Sequence, residues 1–180
     1  MEFIKGPLGS HKNYLNHIAL MNCIDYFNLQ KKHEEMNESN TPSKFEELRL
    51  FLNAIESLNN ILDYFYYENE DSISHSKLNE FKEAVFGQYP ALNDVADIAN
   101  AYKHCIREGR SGKNTKLPWA KDLQKPSLVV DINISDTSQP KVEAEFKFEW
   151  PISEHEEAIS EAFRFWIKYQ NDEGPNLLCV

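Results

Sequence analysis

The stretch Ala91 to Arg110, ALNDVADIANAYKHCIREGR, decides how this chain is read. At 100° per residue Leu92, Val95, Ala99, Tyr102 and Ile106 fall on one side, with Ile98 and Cys105 at its margin, which predicts an amphipathic helix with that side against a core. Asp97, Asn100, His104 and Arg107 follow at spacings of three, four and three and line the opposite side. A carboxylate, an amide, an imidazole and a guanidinium thus share one row, and such groups can move protons or neutralise phosphate. Pro90 stands in the first turn of this helix and Gly109 in the C-cap position.

The helix runs into a basic loop, GRSGKNTKLPWAKDLQK. From Lys103 to Lys125 the chain holds Lys103, Arg107, Arg110, Lys113, Lys116, Lys121 and Lys125 against Glu108 and Asp122, a surplus of five positive charges in a chain whose net charge is −10. The overall balance excludes a protein that coats nucleic acid everywhere. The local island can receive RNA or a nucleotide phosphate, or pair with the acidic surface of this protein or of a protein partner. Lys103, Arg110, Lys113 and Lys116, together with Asp97, are the expected binding residues. The loop is not a GxxxxGK[ST] phosphate loop, because two residues separate Gly109 from Gly112, Asn114 follows Lys113, and no strand precedes. Gly109 to Gly112 has the GXXG form that clamps nucleic-acid backbone in KH domains, but Leu117-Pro118-Trp119 stands where a second helix is needed.

Upstream, residues 11 to 36 read as a first helix with apolar residues around much of its circumference. Residues 43 to 68 form a longer one, about 39 Å at 1.5 Å per residue, opened by a Ser43/Glu46 capping box. Its stripe is Leu48, Phe51, Leu52, Ile55, Leu58, Leu62, Phe65 and Tyr66, and its row Arg49, Asn53, Glu56, Asn60 and Asp63 is expected to be a solvated face. ENEDSISHS is a loop, and Lys77 to Phe86 a third helix. Downstream the period changes to two. Val130, Ile132 and Ile134, then Val142, Ala144, Phe146, Phe148 and Trp150, alternate with polar residues around the turn SDTSQP, which predicts an antiparallel β-hairpin over about 128–150 with its apolar face on the helices. Ser153 and Glu156 have capping-box spacing before a last helix with Ile159, Ala162, Phe163 and Trp166 buried. The expected class is mainly α (α+β): about five helices, a C-terminal hairpin and a final helix.

With 180 residues, 41% hydrophobic and 27% charged, the chain is expected to be one domain, 1–180, large enough to need no metal or disulfide. Residues 1–10 are expected to be flexible or tag-derived, since GPLGS has the form of a protease-cleavage scar, and 171–180 to fray. No apolar run of membrane-spanning or signal-peptide length occurs, so a cytoplasmic protein is expected, with no membrane partner. Cys23, Cys105 and Cys179, odd in number and far apart, read as reduced thiols. The six histidines show no metal-ligand spacing, so no metal or other cofactor is expected.

Ala99-Asn100-Ala101-Tyr102-Lys103-His104, on a late helix of a helical bundle, resembles the motif of the HEPN domain, in which an arginine, a polar residue, three further residues and a histidine lie near a helix end. Asn100 matches the polar position and His104 the histidine, while Ala99 stands where the family has arginine. The likeness covers residues 11–108 at most. It implies a homodimer whose two subunits bring these residues together, metal-independent RNA cleavage in active members, and a bacterial toxin-antitoxin or antiviral setting. Without the arginine the expectation is a non-catalytic or weakly catalytic binding module. Two alternatives stay open: a metal-independent endoribonuclease using His104, Asn100 and Arg107, and a structural protein-protein assembly partner.

Overall fold

The computed structural model describes residues 9–35, 44–103, 127–133, 141–147 and 152–180. Ser10, in extended backbone, starts α1 (residues 11–35) by accepting a hydrogen bond from the Asn13 backbone N–H at 3.1 Å. The helix opens with His11–Tyr14, widens into a π turn over Leu15–Ala19, and continues as Leu20–Glu35. A turn closed by i→i+5 bonds holds more than the usual 3.6 residues. That lets Leu15, Ala19 and Cys23, four apart, all face inward, and explains why the apolar residues of this segment fit no single stripe in the sequence.

Next comes α2 (Lys44–Asn69), which every other helix touches. Phe51, Ala54, Ile55, Leu58, Ile61, Leu62, Phe65 and Tyr66 are all buried along it. Its polar row was expected to be solvated, and for Asn60 and Asp63 the packing of α1 and α3 corrects that. Asn60 hydrogen-bonds the Tyr14 hydroxyl, Tyr14 stacks on Tyr64 with centroids 4.2 Å apart, and Asp63 is ion-paired to Lys82. Arg49 and Asn53 are exposed as expected. Of the aromatic run, Phe65 and Tyr66 are core, and Tyr67 is exposed.

A 3-10 turn (Glu70–Ser72) leads to α3 (Leu78–Gln88), whose Phe81 stacks on Phe65 at 5.8 Å. The next two helices are α4 (Pro90–Lys103) and α5 (Ile152–Gln170). They run antiparallel: Tyr89, before α4, meets Phe165 at 5.0 Å, while Tyr102 at its far end meets His155 in the first turn of α5. Because α5 already begins at Ile152, Ser153 lies within it and is not its N-cap.

The α+β class is overturned. The packed body is helix alone, five helices among the described residues, and the protein is mainly α. Ser127–Asn133 (β1) and Lys141–Lys147 (β2) pair with each other, Leu128 opposite Phe146 and Ile132 opposite Val142, but no helix shares an extended contact with them. The physical reason is that the helices bury their stripes on one another around α2, so the bundle does not need a sheet as a second layer. The turn at 134–140 and Phe148 to Trp150 lie outside the described residues, as do residues 1–8 and the expected Gly109 cap.

The C-terminal residues, expected to fray, pack back against the bundle in this structure. After α5 the Asp172 N–H bonds the Tyr169 carbonyl (3.2 Å) and the Glu173 N–H bonds the Lys168 carbonyl (2.9 Å), the Schellman pattern, with Asp172 at φ 57° in the left-handed position usually held by glycine. The chain then folds back so closely that a Cβ on Gly174 would lie 2.6 Å from the Tyr169 Cα. Leu177, 1% exposed, enters the core, and the Val180 carbonyl is 3.1 Å from His75 Nε2. Nearby, one carboxylate ties three helices together. Glu68 Oε2 accepts from the His11 backbone N–H (2.6 Å) and lies 2.7 Å from His11 Nδ1, while His11 Nε2 is 2.9 Å from the Tyr169 hydroxyl.

Leu177→Ala should therefore lower stability by about 3 kcal/mol in urea unfolding, as for a leucine removed from a core. Gly174→Ala should also lower it, because backbone rather than a movable side chain occupies the Cβ position. A tail that frays would leave both variants at wild-type stability.

Candidate functional site

The end of α4 was singled out by sequence, and the bundle makes it a junction of α1, α2, α4 and α5. Leu92, Val95, Ile98 and Ala99 face the core as the periodicity requires, and Tyr102 packs against it. Ala96 and Ala101 are buried as well, so α4 is covered on more of its circumference than one stripe. What remains for the opposite side is a strip of half-buried carboxylates and amides. Asp97 accepts from Asn93 Nδ2 at 3.1 Å, and Asn100 lies one turn further on, also half-buried. Burial pushes the Asp94 carboxyl above its ordinary range, the nearby Asp97 charge adds to this, and a hydrogen bond from Asn93 opposes it.

Of the expected catalytic set, the described structure places Asn100 only; His104 and Arg107 lie outside the described residues. Of the expected binding set it places Asp97, and Lys103 as the last residue of α4, while Arg110, Lys113 and Lys116 lie outside. Ala99, which stands where the resemblance puts an arginine, is 3% exposed and part of the core.

Beside this end lies a buried polar layer that the sequence pattern did not single out. Its hub is Phe51 of α2. The Tyr26 ring meets Phe51 edge-on at 5.8 Å, Tyr102 does so at 5.5 Å, and the His155 imidazole stacks on it at 6.0 Å with 28° between planes. Tyr102 and His155 meet at 6.4 Å, almost perpendicular. One turn before Phe51, Glu47 is 4% exposed, and Gln30 Nε2 bridges it to the Tyr26 hydroxyl, donating at 3.0 and 2.9 Å. His155 is likewise 4% exposed. Burial raises the Tyr102 hydroxyl well above its ordinary range, and burial together with the charges of Glu156 and Glu47 does the same for Tyr26.

These residues had a signal in the sequence. Glu47 precedes Phe51 by four, and His155 precedes Ile159 by four and Ala162 by seven, so each polar group occupies a position on a core stripe. A charged or titratable residue in register with buried neighbours marks a place where the fold accepts desolvation.

Among the described residues no group of three His, Cys, Asp or Glu side chains could hold a metal ion, and no helix is long and apolar enough to cross a membrane. Cys23 is buried, its thiol pushed up to about 12 by desolvation, and Cys179 is exposed; neither is in a disulfide, and Cys105 lies outside the described residues. No protein-family model, characterised protein or solved structure matches the chain.

The buried phenols make the fold sensitive to alkali. Tyr14 and Tyr169 are pushed up to about 12, chiefly by desolvation, and Tyr26 and Tyr102 are raised by the same cause. A phenol whose folded pKa exceeds its unfolded value near 10 contributes stability that is present below that pH and lost as pH rises through the folded value. Tyrosinate absorbance and loss of helical circular dichroism should therefore rise together over about pH 10–12. Ionisation of every tyrosine near pH 10 with the helices intact would show these hydroxyls to be solvated.

Proposed function

We propose that the chain is a HEPN-like helical binding module that takes RNA, or another ligand bearing phosphates, at the end of α4 and the basic residues that follow it, and that it does so without efficient cleavage. The observation that carries this reading is the burial of Ala99 in the core. Cleaving a phosphodiester calls for a cation where negative charge develops, and loss of one such group costs about 3 kcal/mol, roughly a hundredfold in rate. Next to Asn100, α4 offers a core alanine and, one turn earlier, the carboxylate of Asp97, which disfavours added negative charge. The +5 surplus between Lys103 and Lys125 supplies affinity for phosphate.

Under this reading, labelled single-stranded RNA should bind at low salt and lose affinity steeply as salt rises, while uncleaved RNA is recovered with or without chelator. Ala99→Arg should lower the melting temperature rather than create activity, because it places an unpaired cation in the core. Robust cleavage lost in a folded His104→Ala variant would instead establish the ribonuclease that uses His104, Asn100 and Arg107. Absence of RNA binding at low salt would leave a protein-protein assembly partner. The reading also includes a homodimer with the Asp97/Asn100 row near its two-fold axis, so light scattering at micromolar concentration should give twice the 21.0 kDa chain mass. A monomer there removes the dimer from the proposal.

A further inference from the structure

We infer that the loop between α2 and α3 (residues 70–77) and the C-terminal return (residues 173–180) form one latch, clasped at His75, which opens as a unit while the helices stay packed.

After its 3-10 turn the loop runs from Ile73 to Lys77 outside helix and strand, so no regular ladder meets its polar groups. His75 is met from two sides. The Tyr66 hydroxyl of α2 donates to the His75 carbonyl at 3.2 Å, and His75 Nε2 lies 3.1 Å from the Val180 carbonyl oxygen. A carbonyl oxygen has only lone pairs to offer, so the ring is the donor in the second contact. One loop residue thus joins α2 to a segment 105 residues further along the chain. The return has its own local order, a 3-10 turn over Leu177–Cys179. In it the Leu178 N–H donates to Asn176 Oδ1 at 3.1 Å and the Cys179 N–H to the Asn176 carbonyl at 3.2 Å.

Each segment is anchored in the core by one buried aliphatic side chain, Ile73 for the loop and Leu177 for the return, with Val180 packed partly against it. Most of their other residues are exposed. Segments with few buried apolar contacts and solvent-exposed hydrogen bonds open at a lower free energy than the whole molecule unfolds. The pivot of the return is Gly174, since the Asp172 and Glu173 N–H groups before it are bonded to the end of α5. Opening of either segment breaks the clasp at His75. The other has then already lost part of what held it, so the two open together.

Amide hydrogen exchange of the full chain tests this. In the wild type the Ile73, Leu178 and Cys179 amides should exchange at least about tenfold faster, relative to their intrinsic rates, than the amides of Phe51 to Leu62. Tyr66→Phe keeps the ring and removes the hydroxyl that bonds the loop. It should nevertheless speed exchange at Leu178 and Cys179 in the return by about fivefold, the contribution of one hydrogen bond. Leu177→Ala gives the reciprocal test, and should speed exchange at Ile73 in the loop by about tenfold or more. Wild-type rates at Leu178 and Cys179 in a folded Tyr66→Phe chain overturn the latch, and so do wild-type rates at Ile73 in Leu177→Ala, because each segment then opens alone. The Leu177→Ala result decides the matter should Tyr66→Phe fail to fold. Exchange of all three amides at the rate of the α2 core overturns the inference too, since the segments then open only when the whole molecule does.

Discussion

The central position of α2, which every other helix touches, is the constraint on which the rest of this molecule depends. At 100° per residue Phe51, Ala54, Ile55, Leu58, Ile61, Leu62, Phe65 and Tyr66 fall within a face of roughly 140°, wide enough to meet several helices at once, while Arg49 and Asn53 on the opposite side stay exposed. Four helices then bury their own stripes on it, and the π turn of α1 is the local adjustment that keeps Leu15, Ala19 and Cys23 aimed at it. Polar groups of α2 that the neighbouring helices half-cover bond to those neighbours. That is what Asn60 does with Tyr14, and Asp63 with Lys82.

The two ends of α2 meet this demand in different ways. At the C-terminal end, Glu68 meets the His11 backbone N–H and Nδ1, and His11 engages Tyr169, so one carboxylate satisfies the start of α1 and anchors the end of α5. Partners 57 and 158 residues apart meet there, and the Schellman turn at Asp172 with the return of Leu177 into the core continues the same closure. At the N-terminal end, Glu47 and Phe51 open onto Tyr26, Gln30, Tyr102 and His155, a layer in which aromatic faces separate the polar groups. The first end is a network among neighbours on three helices. The second adjoins the helix whose sequence carries the candidate chemistry.

The candidate site was legible only in part. The two-faced pattern from Leu92 to Tyr102 located the helix and its core side, and the structure agrees for Leu92, Val95, Ile98 and Ala99. Periodicity could not show that Asp97 would be held by Asn93, since hydrogen bonding depends on rotamers. Nor could it show that Glu47 and His155 share a layer with Tyr102. They are distant in sequence, and each, taken singly, reads as a polar residue near a helix start.

The sequence by itself determined the helices, because propensity and 3.6-residue periodicity are local: five segments were placed, with Pro90 at the start of α4, while the expected end at Gly109 lies outside the described residues. Tertiary structure decided the rest. It corrected the α+β class, because five helices among the described residues close a core around α2 without a sheet. It turned the polar tail NDEGPN into an ordered return through Asp172, Gly174 and Leu177, and it covered the row at Asn60 and Asp63. These outcomes depend on which distant surfaces meet and exclude water, and a window of ten or twenty residues carries no information about that.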